Sequence, residues 1–104
     1  MANKAETTLR RRIIKRLNEQ EGGFWTHVHG NPYTPTGLPD IIGCWNGRFV
    51  GFEVKTPDNP RGLTDKQRYT LERISATGGI AAEIRSFDDA KKVLDFVRSE
   101  ADQG

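Results

Sequence analysis

The sequence predicts a small α/β domain in which helices flank a mixed β-sheet. Three observations lead to this fold class. Apolar residues recur at helical spacing near both ends of the chain, two β-prone runs meet at Asn46-Gly47, and Thr64 to Gln67 has the pattern of a helix start. A length of 104 residues suits one core of ordinary size, so we predict a single domain over residues 1–104.

The composition narrows the class of protein. Hydrophobic residues make up 35% of the chain and charged residues 29%, which is enough apolar material for a folded core. Cys44 has no second cysteine to pair with, and the sequence shows neither a signal peptide nor a run of about 18 apolar residues. We therefore expect a cytoplasmic protein that does not enter a membrane. The net charge of +2 favours no partner by itself.

The first predicted helix runs from about Glu6 to Gln20. Leu9, Ile13 and Leu17 recur along it at the spacing of one buried face. At about 100° per residue, Glu6 projects into the middle of that apolar stripe. A carboxylate that points inward is unusual, so Glu6 is a candidate site residue.

The same helix carries five basic residues within a span of seven, Arg10, Arg11, Arg12, Lys15 and Arg16. Arg11, Arg12 and Lys15 point away from the apolar stripe, where they are available to bind DNA phosphates. A solvated helix face also accounts for these charges, and the charge pattern alone favours that interpretation over DNA binding.

Two runs in the middle of the chain predict a β-hairpin. A strand over Phe24 to Val28 and a proline-stiffened loop come first. Pro39 to Trp45 and Arg48 to Lys55 then flank Asn46-Gly47, the dipeptide best suited to a two-residue type I′ turn, because both of its residues need positive φ.

The second half of the chain predicts a helix, a strand and a helix. Thr64 and Gln67 form a capping box, and Gly78-Gly79 ends the helix that follows it. Ile80 to Arg85 reads as a strand, and Ser86 begins a last helix. The buried face of that helix is formed by Ala90, Val93, Leu94 and Val97.

The hairpin places two carboxylates together. With Asn46-Gly47 as the turn, Glu53 lies directly opposite Asp40, and like charges in that position destabilise a sheet. At a separation near 5 Å and an effective dielectric near 20, the repulsion costs roughly 3 kcal/mol. A divalent cation such as Mg²⁺ or Mn²⁺ relieves it, because hard ions bind one or two carboxylates.

Lys55 lies two residues beyond Glu53 and therefore on the same face of the strand, whereas Val50, Phe52 and Val54 face the other way. Two acids, a metal and a lysine are the groups that phosphodiester hydrolysis needs. The alternative is an exposed Glu53–Lys55 strand pair with Asp40 capping a turn. A β-bulge in the hairpin would also spoil the direct opposition.

These motifs resemble a known family. Pro39-Asp40 and Glu53-Val54-Lys55, preceded by Glu6, resemble the PD-(D/E)XK nuclease superfamily, which implies a restriction-endonuclease-like core. Four segments in order are similar to its VRR-NUC branch, in the minimal single-domain form found in phage genomes. They are Gly37-Leu38-Pro39-Asp40, Phe52-Glu53-Val54-Lys55, Leu63-Thr64-Asp65-Lys66-Gln67 and Ile84-Arg85-Ser86.

The resemblance implies roles for individual residues. Asp40, Glu53 and the Val54 carbonyl would bind Mg²⁺ or Mn²⁺, Lys55 would be the catalytic lysine, and Glu6 would reach the metal directly or through water. Gln67 would line the site, or would do no more than complete its capping box.

Other polar and aromatic residues remain open to two interpretations. His27 and His29 alternate along one strand, but the chain lacks the further ligands of a histidine-based nuclease, so we interpret them as exposed residues or phosphate contacts. Tyr33 suits stacking on an unpaired base or an ordinary turn. Three aromatic residues suit a dimer interface or the core: Phe24, Trp25 and Trp45.

The predicted function is metal-dependent DNA cleavage, selective for branched or junction DNA, by a homodimer. Closed two-fold dimers are common among oligomers, and a dimer offers one site to each DNA strand. The alternatives are a Holliday-junction resolvase of the archaeal type and a non-catalytic DNA-binding module that keeps the nuclease fold.

Overall fold

The computed structural model describes residues 4–103, which contain three helices and four strands. One four-stranded sheet has the order β1-β2-β3-β4, antiparallel over its first two pairings and parallel between β3 and β4. This confirms the predicted α/β class with a mixed sheet. The elements are α1 (Lys4–Gln20), β1 (Phe24–His27), β2 (Ile41–Trp45), β3 (Arg48–Val54), α2 (Asp65–Ala76), β4 (Ile80–Ile84) and α3 (Phe87–Gln103).

The β2–β3 hairpin turns at Asn46-Gly47, whose φ angles are 50° and 76°. Its register pairs Trp45 with Arg48 and Ile41 with Phe52, as the turn predicts, and no bulge interrupts it. Strand β2 begins at Ile41 and not at Pro39. The difference has a local cause, because the Asp40 side chain accepts a hydrogen bond from the Val54 N–H at 2.8 Å.

The helices divide between the two faces of the sheet. Helices α1 and α3 pack on one face and on each other, and α2 packs on the other face against β3 and β4. The core between the sheet and the α1/α3 pair contains Trp25 and Trp45, each 2% exposed, and Trp25 stacks on Phe52 at 6.0 Å between ring centroids. Both tryptophans are therefore core residues, whereas Phe24 is 65% exposed.

Both predicted helix starts in the second half of the chain are confirmed. Thr64 and Gln67 form a complete capping box at the start of α2. The Ser86 hydroxyl accepts a hydrogen bond from the Asp89 N–H at 3.1 Å at the start of α3. None of the helices in residues 4–103 has the length and apolar character of a membrane span.

Candidate active site

The end of the hairpin brings the Asp40 and Glu53 carboxylates together. Ile41 pairs with Phe52, so the next residues outward, Asp40 and Glu53, face the same space. Glu53 is 3% exposed and Asp40 is half-buried. The backbone holds Asp40 from both sides, because its carbonyl accepts from the Val28 N–H at 3.0 Å and its carboxylate accepts from Val54.

Burial and the neighbouring Asp40 carboxylate raise the pKa of Glu53 to about 9. One oxygen of Glu53, Oε2, is buried and has no hydrogen-bond partner among the described residues. A buried anion in such contact with a second carboxylate needs a positive charge or a proton between them. At neutral pH without a metal, Glu53 meets that need by holding a proton.

Gln67 connects the carboxylates to Lys55 from the first turn of α2. Its Nε2 donates to Glu53 Oε1 at 3.0 Å, and its Oε1 accepts from Lys55 Nζ at 3.3 Å. The same Oε1 accepts from the Thr64 N–H at 2.9 Å, which closes the capping box. Gln67 therefore completes the capping box and also contacts Glu53 and Lys55, so it does more than cap the helix. Its part in an active site stays a prediction.

The donor set at this site fits a divalent cation. The described residues contain no group of three His, Cys, Asp or Glu side chains arranged to hold an ion. Magnesium needs only one or two carboxylates and completes its coordination with water and phosphate. Asp40 and the unpartnered Oε2 of Glu53 supply such a pair, and the charge of Glu6 raises the pKa of Glu53, so Glu6 lies within electrostatic range.

The structure divides the basic cluster of α1 between two sides of the helix. Arg16 stacks on the Phe87 ring at 4.0 Å, on the α3 side. Lys15 is exposed and pairs with Glu19 at 3.9 Å. Arg11 lies instead beside β1, where it lines a groove together with Arg10, a residue that sequence reasoning did not single out.

Arg85 has a structural role that sequence reasoning did not assign. Its guanidinium donates to the carbonyl oxygens of Thr56 at 2.6 Å, Asn59 at 2.9 Å and Arg61 at 3.3 Å. These carbonyls belong to the loop that connects Lys55 to the helix bearing Gln67. Arg85 thus holds the loop between Lys55 and Gln67 in place through these hydrogen bonds. The Ile84-Arg85-Ser86 motif marked the position but did not indicate these hydrogen bonds.

Comparison with known proteins gives a structural match. No family model matches the chain, and no curated protein matches it either. The chain is similar to a solved structure described as "VRR_NUC domain protein", with a TM-score of 0.66 over 86% of this chain and 84% of that chain. The chain has a VRR-NUC-like fold. Sequence identity is 17%, so the likeness concerns the fold alone.

Within this VRR-NUC-like fold, the loop between β1 and β2 leaves Tyr33 95% exposed. The loop is locally ordered, because Asn31 Oδ1 accepts from the Tyr33 N–H at 2.8 Å and the Asn31 N–H donates to Thr34 at 3.0 Å. Base stacking by Tyr33 stays a prediction.

Proposed function

We propose that this protein is an Mg²⁺- or Mn²⁺-dependent endodeoxyribonuclease that prefers branched or junction DNA. The observation that carries the proposal is the pairing of the buried Glu53, which has an unpartnered carboxylate oxygen, with the half-buried Asp40, adjoined by Lys55 and Gln67. Two carboxylates in such contact are costly in a small domain unless a proton or a cation offsets their repulsion. The VRR-NUC-like fold supports the same activity class.

Each residue of the site has a task in hydrolysis. Asp40, Glu53 and the Val54 carbonyl would hold the ion, and Glu6 would contribute directly or through water. When bound, the ion supplies Lewis acidity toward the phosphate and a water of lowered pKa. Lys55 would offset the charge that grows on the phosphate or orient the attacking water.

Gln67 would position both of these groups. Its side chain donates to Glu53 and accepts from Lys55, so one amide fixes the distance between an acid and the lysine. Because the same amide also caps α2, the helix start holds its orientation.

The direct test is to incubate the purified protein with linear, nicked, flapped and four-way DNA in the presence of Mg²⁺, Mn²⁺ or EDTA. We expect cleavage with either metal, none with EDTA, and faster cutting of a branched substrate. Asp40→Asn and Lys55→Ala should each abolish cutting while DNA binding persists. Binding without cleavage of any substrate in any metal would favour a non-catalytic DNA-binding module.

We also propose that Arg11, Arg12 and Lys15 bind the DNA backbone, since all three are exposed on α1. Removing one phosphate contact should lower the slope of log affinity against log salt by about 0.9 on duplex DNA. The slope is measured for the wild type and the triple alanine variant. An unchanged slope would make these side chains a solvated helix face.

We further propose that the protein acts as a homodimer. An apolar stripe lies open on the α2 side of the sheet, beyond the part that α2 covers, since Phe24, Cys44 and Phe49 are aligned across the register and all are exposed. Light scattering at micromolar concentration should give twice the monomer mass. The monomer mass, both free and with branched DNA, would rule the dimer out.

A further inference from the structure

A groove of about 430 Å³ lies between α1 and β1, apart from the space that Asp40 and Glu53 enclose. Helix α1 contributes two arginines and a threonine to it, and β1 with the residues that follow it contributes a threonine and two histidines. The polar lining residues are Thr7, Arg10, Arg11, Thr26, His27 and His29.

The chemistry of this groove favours an anion. None of its described lining residues is acidic, and both arginines carry a permanent charge on a planar donor group suited to phosphate oxygens. The His27 and His29 rings lie 3.9 Å apart between centroids. Burial lowers the pKa of His27 most, and the charges of His29, Arg10 and Arg11 lower it further, whereas Asp40 raises it. Hydroxyl and imidazole groups add neutral donors.

The groove lies at the same end of the sheet as the carboxylates. His27 pairs with Ile41, the residue that follows Asp40, and the next amide, that of Val28, donates to the Asp40 carbonyl. On the helix side, the lining begins at Thr7, directly after Glu6. A DNA strand that reaches Asp40 therefore passes close to the groove.

We propose that this groove binds a backbone phosphate of the cleaved strand, one that flanks the phosphate being cut. The inference rests on the proposed nuclease function and specifies how the site holds its substrate. The groove binds an internal phosphodiester through the two arginines, with the threonines and histidines as additional donors. It would thereby fix the register of the strand relative to Asp40 and Glu53.

The test uses oligonucleotides in which a single phosphate at a time is replaced by an uncharged methylphosphonate. Binding is measured by fluorescence anisotropy in EDTA, and the cut position is mapped separately in Mn²⁺. We expect one flanking position at which the replacement weakens wild-type binding roughly 10- to 100-fold, as for loss of a charged hydrogen bond. The Arg10→Ala/Arg11→Ala variant should bind unmodified DNA as weakly as the wild type binds the modified oligonucleotide. Its affinity should not change further when the methylphosphonate is introduced at that position.

Two control variants distinguish phosphate binding in the groove from a general effect of positive charge on DNA affinity. Lys92→Ala removes an exposed positive charge from α3. Its DNA affinity should fall on methylphosphonate replacement as much as that of the wild type. Arg10→Lys/Arg11→Lys keeps both charges without the planar donors and should retain a reduced sensitivity, which also guards against misfolding of the alanine variant. The proposal would be overturned if a methylphosphonate weakened binding by the double alanine variant as much as by the wild type. It would also be overturned if replacement at no flanking position weakened binding by the wild type.

Other anions are distinguished in the same assay. If the arginines matter only for an oligonucleotide with a terminal 5′ phosphate, the groove is not a site for an internal phosphodiester. Arginine-dependent sensitivity at an internal position without cleavage in any metal would uphold the phosphate site and refute the nuclease function.

Discussion

The two faces of strand β3 perform opposite tasks. On the face toward α1 and α3, Phe52 and Val54 are fully buried among apolar side chains. On the face toward α2, Glu53 is almost as deeply buried but beside another carboxylate, and Lys55 follows it half-exposed. Burial thus stabilises the fold through one face. On the other face it holds two carboxylates together, an unfavourable charge arrangement that the proposed cation would relieve.

The comparison shows why a small domain tolerates such a site. Burying a large apolar side chain contributes about 1.5 to 3 kcal/mol, and β3 does so repeatedly on its core face. An isolated buried carboxylate would cost more than a small domain can lose. Two features reduce that cost in the metal-free protein. Gln67 donates a hydrogen bond to Glu53, and the raised pKa of Glu53 keeps a proton on its carboxyl group at neutral pH.

The largest effect should come from substituting adjacent residues on the two faces. Phe52→Ala should destabilise the fold by about 3 to 5 kcal/mol, because it leaves a cavity beside Trp25. Glu53→Gln should keep the fold but lower the cleavage rate by roughly a thousandfold, equivalent to about 4 kcal/mol. Urea unfolding and single-turnover cleavage measure the two quantities. If the Glu53→Gln variant cut DNA at the wild-type rate, Glu53 would not be part of the active site.

The stability of the protein should also depend on pH through Glu53 on the α2 face of β3, and not through the apolar residues on its other face. Folding raises the pKa of Glu53 from 4.5 to about 9, so the folded state binds the proton more tightly. Its stabilising contribution is complete below about pH 4.5 and is lost as pH rises toward 9, by at most about 1.4 kcal/mol per pH unit. In EDTA, the wild type should therefore lose stability relative to Glu53→Gln between pH 5 and 8. Parallel curves would mean that Glu53 titrates normally.

A bound metal ion should relieve the repulsion between Asp40 and Glu53 and so stabilise the fold through the α2 face of β3 only. Mn²⁺ at 100 times its dissociation constant adds about 2.7 kcal/mol of stability, which raises the melting temperature by more than about 10 °C for a domain of this size. Asp40→Asn should abolish most of this shift, and Phe52→Ala should keep it if the variant still folds. Differential scanning fluorimetry with and without millimolar Mn²⁺ measures it. An equal shift in Asp40→Asn would place the ion elsewhere.

The smallest effect should come from the loop that follows β3. Arg85→Ala removes three hydrogen bonds to the carbonyls of residues 56–61 and should cost about 1 to 3 kcal/mol. Arg85→Lys should restore little, because an ammonium group lacks the planar arrangement of donors. The loop should also become sensitive to limited proteolysis, which mass spectrometry locates. Unchanged proteolysis would show that other contacts hold the loop.

Much of the fold, and the pairing of Asp40 with Glu53 in the candidate site, followed from local rules in the sequence. The Asn46-Gly47 turn fixes the hairpin register, because its two residues adopt positive φ and the strand pairing then proceeds residue by residue. That register alone predicts the meeting of Asp40 and Glu53. The capping box at Thr64 likewise sets the start of α2. Patterns of this kind depend on neighbours within a few residues, so they can be read without a structure.

Contacts between distant segments were decided only by the tertiary structure. Helical spacing showed which basic residues leave the buried face of α1 but not which neighbour each one meets, so the division between Arg11 beside β1 and Arg16 on Phe87 was hidden. Arg85 reaches carbonyls 24 to 29 residues away along the chain. Such contacts depend on how helices pack on the sheet, where side-chain shape and burial across the whole core determine the arrangement.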